Sequence, residues 1–493
     1  ELGGARSFSL FRQSKPLRDP LSNEVLGYEA GYIGTADFLR ADGKSPVNGL
    51  PVPATFVMTS ARAEAGVGVG TERIVANMRV LIIGAGIAGP VAALSLEAAG
   101  FTDIVIAERS TELRGLGVGV NLLPHAVREL TELGIVDRIA ALGVEPQTLS
   151  YFNRHGQQIW SEPRGRAAGY AWPQLSVHRG RLQLELNDIV RERLGDGVLR
   201  LGHKLIEVQG NTAIFELPGG QREEITADVI LAADGIHSVA RSLHYPHEGE
   251  PLWSGLTLWR GTAVIEPFLD GSTMVMVGDA EQKFVAYPLG GVDEHGKQRI
   301  NFIAERRIDG SADADWNRQV DREPIARFFE GWSYDWLDVP AIIRDAEELL
   351  EYPMVDRDAL PQWSFGNLTL LGDAAHAMYP NGSNGGSQAT LDARTLAYYL
   401  ATEPSVEAAL SAYEVARRPA CTKLLEMTRQ TGPERVMQLA RERAPEGFAH
   451  VHDVISQEEL EAIAADYKLA AGFHPDSLNA RSSLNARVAG DRG

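Results

Sequence analysis

Val80-Leu-Ile-Ile-Gly84-Ala-Gly86-Ile-Ala-Gly89 is the stretch that decides the fold, and Glu108 follows it about one supersecondary unit later. Four consecutive apolar residues predict a strand buried on both faces. A glycine turn and a small-residue helix from Pro90 to Gly100 follow. Each glycine has a separate task. Gly84 lets the chain turn off the strand. Gly86 has no side chain, so a pyrophosphate can approach the backbone, and Gly89 lets the helix lie close on the sheet. The helix N-terminus offers free N–H groups and a positive dipole end to phosphate. Asp103-Ile-Val-Ile-Ala-Glu108 reads as a second strand, and its terminal carboxylate can accept hydrogen bonds from a ribose diol. The unit predicts a dinucleotide site in an α/β domain.

Residues 80–101 are apolar enough to suggest a membrane span, with Glu97 their only charge. Three glycines and a proline in the first half, and no basic flank, argue against one. Gly66-Val-Gly-Val-Gly70 follows no convincing strand. Gly115-Leu-Gly-Val-Gly119 opens no helix, but it lies just after Glu108, where its loop would pass near a bound dinucleotide.

The 493 residues suffice for two or three domains, and an apolar fraction of 44% is ordinary for a soluble globular protein. A net charge of −19 argues against a nucleic-acid backbone as partner. Cys421 is the only cysteine, which excludes an intrachain disulfide and CxxC zinc or redox sites and suits a reducing cytoplasm. The first residues lack the charged, apolar and cleavage regions of a signal peptide. A cytoplasmic protein without membrane contact is expected, as a monomer or homodimer.

Residues 1–77 are rich in glycine, proline and alanine, with strand-like pieces at Val25–Tyr32 and Ala54–Met58, and are expected to be an appendage outside the chemistry. Nucleotide-domain segments are expected at 78–150, 179–245 and 356–420. A hairpin excursion at 151–178 and a β-rich substrate domain at 246–355 interrupt them. Helices and a loose polar tail after Asp476 are expected over 421–493. The fold class is therefore α/β: a Rossmann-like domain interrupted by a β-sheet domain, with a helical C-terminal extension.

Two further motifs narrow the reading. Ala233-Asp234-Gly235-Ile-His-Ser238-Val-Ala-Arg241 follows one strand, and Leu371-Gly372-Asp373-Ala-Ala-His376…Pro380 follows another. Alone, the first is an ordinary Asp-Gly turn and the second a helix cap. In this order after GxGxxG they resemble the group A, single-component flavoprotein monooxygenases, over about residues 78–420. Trp160-Ser-Glu-Pro-Arg-Gly165, Ser176-Val-His-Arg-Gly180, Trp259-Arg-Gly261 and Tyr352-Pro-Met-Val-Asp-Arg-Asp-Ala-Leu-Pro361 resemble the branch of that family that hydroxylates 5-methylphenazine-1-carboxylate. Leu10-Phe-Arg through Ala36 resembles part of a LysM-type cell-wall protein.

The resemblance implies FAD as cofactor, NADH or NADPH as a transient co-substrate, O₂, and hydroxylation of an aromatic or heteroaromatic ring through a flavin C4a-hydroperoxide. The block 252–306 would shield that species from water. The cofactor would be held by Gly84, Gly86, Gly89, Glu108 and Arg109, and by Gly119 and Val120 in the following loop. Arg128 and Arg179 would lie near its diphosphate and ribityl chain. Gly372 precedes Asp373, which would accept a ribityl hydroxyl. Gly385, Gly386 and Ser387 would meet the flavin N1/O2 edge, where backbone N–H groups stabilise the charge of reduction. Asp234 and Arg241 would serve both FAD and the nicotinamide. Pro380 would border the reactive C4a, and Trp259, Tyr287 and Tyr379 are candidate substrate-pocket aromatics. His376 is read as structural, and His450, His452 and Asp453 as solvated, so no metal is expected. Two rivals stay open: FAD-dependent hydride transfer without oxygen insertion, and a cell-wall binding protein with a dormant flavin fold. A flavin halogenase would need a WxWxIP signature, and Trp332-Ser-Tyr-Asp-Trp336 has the wrong spacing.

Overall fold

The computed structural model describes residues 78–115, 117–308 and 318–486, together with the backbone of seven short strands between residues 7 and 61. The Gly66–Gly70 run lies outside the described residues. The chain divides into two compact units, Glu1–Thr71 and Glu72–Gly493. In the first, Ser7–Phe11, Tyr32–Arg40 and Thr55–Ala61 form an antiparallel three-stranded sheet.

The second unit is built on two sheets. Its parallel sheet has the order Leu199–Leu201, Asp103–Glu108, Arg79–Ile83, Val229–Ala232, Leu368–Leu370, with Ser364–Phe365 closing the edge antiparallel. Val80, Leu81 and Ile82 are fully buried, as are Val229 through Ala232. The continuous apolar runs of the sequence are the inner strands of this sheet, covered on both faces. The helix Ala88–Ala98 packs on it beside the long helix Gly385–Thr402. Arg179–Leu194 forms a further helix of this domain, ended by Gly195 at φ 87°.

The second sheet has eight strands, in the order Gln158–Pro163, Thr148–Phe152, Thr273–Gly278, Gln282–Val292, Gln298–Arg307, Leu252–Ile265, Glu348–Asp356, Arg318–Gln319. Alternation along its strands separates two faces. Val275, Val277, Phe284, Ala286, Phe302 and Ala304 pack under the helices Arg322–Phe328 and Val339–Arg344. Met274, Met276, Val285, Tyr287 and Ile303 point the other way.

The described part of the tail after Asp476, residues 477–486, makes specific contacts where a loose tail is expected. The helices Arg435–Arg443 and Gln457–Ala470 cover the second sheet and the loop Asn381–Asn384, and Leu478 is buried. Arg481 pairs with the buried Glu129, and Arg394 reaches Asn485. Polar composition suggested solvent here. The polar groups instead meet buried partners on the helix Pro124–Glu132 and on Gly385–Thr402.

Candidate functional site

The two sheets enclose a cavity of about 320 Å³. One wall is the carboxyl end of the parallel sheet, where ligands of open α/β folds bind. Gly86, Ile87, Ala88, Ala233 and Gly235 line it there. The opposite wall is the apolar face of the eight-stranded sheet, with Met274, Met276, Val285, Tyr287 and Ile303.

The three motif glycines differ in what surrounds them. A Cβ on Gly84, at φ 107°, would meet the Ala233 carbonyl oxygen at 2.4 Å, and one on Gly89 would meet that of Gly84 at 1.9 Å. Nothing lies within 4 Å of the place a Gly86 Cβ would take. The first two are therefore needed for protein packing, and the third leaves room for a ligand. The Glu108 carboxylate accepts the N–H groups of Ala85 (2.8 Å) and Ser110 (2.9 Å), which fixes it against the same turn.

Farther along, Gly119, Val120, Arg179, Asp373, Pro380, Gly385 and Gly386 line the cavity with Tyr287 and Tyr379. Arg179 and Asp373 project into it, and neither side chain hydrogen-bonds another described residue. The Arg179 guanidinium is open to the cavity yet crowded by protein, and the loss of solvent around it, with the neighbouring Arg260, lowers it against the opposing pull of Asp373. Gly385 and Gly386 open an 18-residue helix whose first N–H groups face the cavity. Burial pushes the Tyr379 phenol up to about 12, with the Asp356 carboxylate adding to it.

Several candidate residues lie elsewhere. Arg128 is buried beneath the C-terminal segment, donating to the carbonyls of Arg481 (2.7 Å) and Leu478 (3.4 Å) and pairing with Glu132. Arg241 is buried too; it pairs with Glu248 and donates to the carbonyls of Ala374, Ala375 and Asp358. It clamps the segment behind the cavity. Asp234 accepts the Val239 N–H at 2.8 Å at the start of the helix Val239–His244, which Ser238 caps, and burial raises its pKa. The Gly372 N–H donates to Asp392, and the Ser387 hydroxyl accepts the Leu123 N–H. Arg109 is exposed outside the cavity. Trp259 faces the opposite side of its sheet, where its indole donates to Glu351, so it does not line the pocket.

Its neighbour Arg260 does, donating to the Gly119 carbonyl at 3.2 Å. Sequence reasoning missed it, along with Asn301, Glu305, Glu434 and Lys283. Strict alternation from a correctly faced Trp259 would have found Arg260. His376 is buried and hydrogen-bonds Asp392 at 2.6 Å. His376, Asp392 and Cys421 bring potential metal ligands within 4.8 Å of one another. The Arg417 guanidinium sits there, 2.8 Å from Asp392 and 3.4 Å from the Cys421 sulfur, and supplies the positive charge itself.

These groups suit a dinucleotide flavin: an open glycine turn, a fixed carboxylate after the second strand, and a cation, a carboxylate and a helix N-terminus turned to one space. A family model described as an FAD binding domain matches residues 77–428. The phenazine 1,6-dicarboxylic acid hydroxylase PhzS of Lysobacter antibioticus is 37% identical over 400 residues, covering 79% of this chain and 96% of that protein.

The chain belongs to the FAD-dependent monooxygenases.

The aurachin C monooxygenase/isomerase of Stigmatella aurantiaca is 31% identical over 346 residues, covering 69% of this chain and 85% of the relative. Klebsiella pneumoniae HpxO, solved with FAD and uric acid, superposes with a TM-score of 0.60 at 21% identity over 80% of this chain and 92% of that one, which shows the shared fold. This monooxygenase is an FAD-dependent hydroxylase of aromatic or heteroaromatic substrates, in a family that uses NAD(P)H. Among the described residues no helix is long and apolar enough to cross a membrane.

Proposed function

We propose that this monooxygenase hydroxylates a fused nitrogen heteroaromatic of the phenazine class, with NAD(P)H and O₂, in the cytoplasm. The observation that carries the reading is the 37% identity to a phenazine dicarboxylic acid hydroxylase along nearly all of that protein's length. The finer likeness to 5-methylphenazine-1-carboxylate hydroxylases points the same way. The broad apolar wall of Met274, Met276, Val285 and Ile303 suits a flat polycyclic ring.

In this reading Glu108, Gly86, Arg179, Asp373, Gly385 and Gly386 hold FAD. Held there, FAD would supply the hydride-accepting and oxygen-activating chemistry. The protein does the rest: the helix N-terminus donates hydrogen bonds, the eight-stranded sheet keeps water from the reacting edge, and Pro380 and Tyr379 border the ring. Residues 78–150, 179–245 and 356–420 form the cofactor domain. Residues 151–178 and 246–355 form the substrate side, 421–493 the C-terminal helices and tail, and 1–77 an appendage without a part in the reaction.

The test is an NAD(P)H oxidation screen under ¹⁸O₂ with phenazine-1-carboxylate, 5-methylphenazine-1-carboxylate, phenazine-1,6-dicarboxylate, quinolones, salicylate and 6-hydroxynicotinate. The reading expects a phenazine to accelerate flavin reduction and to be recovered carrying ¹⁸O. Oxidised product without the label would mean hydride transfer alone, and preference for a single-ring acid would reject the phenazine class. Deleting residues 1–77 should leave FAD content and turnover unchanged.

A further inference from the structure

Two stretches of the sequence have no part in holding FAD, Trp160-Ser-Glu-Pro-Arg-Gly165 and the strand that carries Ser176, and they meet at one side of the cavity. The strands Gly119–Leu122 and Leu175–His178 pair antiparallel, with Asn121 directly opposite Ser176. Asn121 is buried and lines the cavity. The Ser176 hydroxyl donates to Asn121 Oδ1 at 2.5 Å, and Gln174 Nε2 donates to the same oxygen at 3.2 Å. Gln174 Nε2 also lies 3.2 Å from the sulfur of Met274, on the apolar wall. Gln174 is itself fixed, because its Oε1 accepts from Arg164 Nε at 2.9 Å. Arg164 in turn donates to Glu162 at 2.9 Å, and Lys468 of the helix Gln457–Ala470 donates to the other oxygen of that carboxylate at 2.6 Å.

The direction of each bond in this row follows from its charged end. A guanidinium has donors and no acceptor, so the Gln174 atom facing Arg164 is the amide oxygen. The Gln174 nitrogen then faces Asn121, which answers with Oδ1. With that oxygen turned to protein, Nδ2 and its N–H pair are the polar group Asn121 has left for the cavity, and it donates to no described residue. Gln174, Ser176 and Asn121 are all less than a tenth exposed, so bulk water does not compete for these bonds. The row is therefore a device that fixes which end of one amide the cavity meets.

We infer that Asn121 is a specificity-determining residue: its amide N–H donates to an in-plane acceptor on the substrate ring, a pyridine-type nitrogen or a carbonyl oxygen, and selects against a ring edge that carries N–H. A ring N–H brought to the same place meets a second donor and gives up its bond to water without a replacement. Gln174 is a positioning residue that acts through Asn121, and Arg164, held by Glu162, sets Gln174. The inference rests on the reading of the Met274 side as the substrate wall, and it deepens the proposed function by naming the residue that would choose among heteroaromatic edges.

The experiment compares quinoline, whose ring nitrogen accepts, with indole, whose ring N–H donates, two heteroaromatics of similar size. Each is titrated against the visible spectrum of the FAD-loaded enzyme at a pH where quinoline is neutral. The wild type should bind quinoline about tenfold more tightly than indole, and Asn121→Leu should bring the ratio close to one. Gln174→Glu keeps an acceptor for Arg164 but sets a carboxylate oxygen against Asn121. The Asn121 amide should then turn over and present Oδ1 to the cavity, with the Ser176 hydroxyl changing from donor to acceptor. The preference should reverse, indole binding several-fold more tightly. That variant also balances Arg164 and Lys468 against two carboxylates, so the fold should hold. A merely structural role for Gln174 would not reverse a ratio. Equal affinities in the wild type, binding of neither probe, a quinoline preference that survives Asn121→Leu, or one that survives Gln174→Glu would overturn the role. Weaker FAD binding by Asn121→Leu with an unchanged ratio would assign the amide to the cofactor and overturn it as well. The ratio is read without turnover, so failure of every phenazine in the oxygenation screen rejects the proposed function separately.

Discussion

The backbone N–H of Gly119 donates to Asn301 Oδ1 at 2.6 Å, joining the loop after the second parallel strand to the middle of the eight-stranded sheet. Gly119 is there because a Cβ would lie 2.7 Å from the Tyr287 ring and 2.8 Å from the Asn301 Cβ. The bond crosses from the cofactor side of the cavity to its substrate side. Asn301→Ala leaves a buried N–H without a partner, at a cost of about 1–3 kcal/mol. The expected outcome is a Tm lower by several degrees and more NAD(P)H oxidised per product formed, read as peroxide released per turnover. Unchanged coupling would mean that the loop is placed by other contacts.

Gly86 and Gly89 should fail in different ways. Gly86→Val puts a side chain into open space, so the apoprotein should melt as wild type while FAD affinity falls by at least about a hundredfold, roughly 2.7 kcal/mol. Gly89→Ala drives a methyl into the Gly84 carbonyl and should destabilise the apoprotein itself by about 1–3 kcal/mol. Thermal melts with and without FAD separate the two, and equal apoprotein melting temperatures would contradict the assignment.

The parts that could be read from the chain alone are those whose cause is local. The strand at 79–83 and its glycines needed only near neighbours, and the helix at 179–194 carries its own stop in Gly195. Facing was harder. In the strand Leu252–Ile265, Trp259 looked like a pocket aromatic, but alternation hands the cavity to Arg260, because a one-residue slip exchanges every side chain between faces. Arg128 and Arg241 read as cofactor cations because their partners are invisible at short range. The Leu478 and Arg481 carbonyls lie about 350 residues beyond Arg128, and Arg241 bonds the carbonyls of Ala374 and Ala375 more than 130 residues on. The Lys283–Glu434 contact spans 151 residues and belongs to the same class.

Acid should loosen the protein from near neutrality downward. His125 is buried, and burial, with Arg481 and Arg417 adding, lowers it to about 3. The unfolded chain, with a histidine pKa of about 6.5, holds one more proton between those values. The His125 contribution is therefore present above about pH 6.5 and is lost as the pH falls, by up to about 1.4 kcal/mol per pH unit. Asp392 behaves likewise at lower pH: against the cost of its burial, His376 and Arg417 hold it at about 2, so its share is lost only below about pH 4. His125→Leu should flatten the Tm profile between about pH 6.5 and 4 and leave the steeper loss below it. An unchanged profile would remove His125 as the cause.

The last contact to test ties the C-terminal helices to the cavity. Tyr467 Oη accepts the Asn384 side-chain N–H at 2.7 Å and donates to the Asn381 carbonyl at 3.2 Å. A Cβ on Gly382 would stand 2.0 Å from the same oxygen. Asn381 and Asn384 bracket the loop that leads into the helix N-terminus at Gly385. Tyr467→Phe removes both hydrogen bonds and keeps the ring, a loss of about 1 kcal/mol per bond. Gly382→Ala pushes the loop from the other side. Both variants should stay folded, bind FAD several-fold more weakly and release more peroxide per NAD(P)H, measured by flavin fluorescence titration and peroxide assay. If FAD affinity and coupling match wild type in both, the loop holds its shape without the C-terminal helices, and truncation before Gln457 should then be tolerated as well.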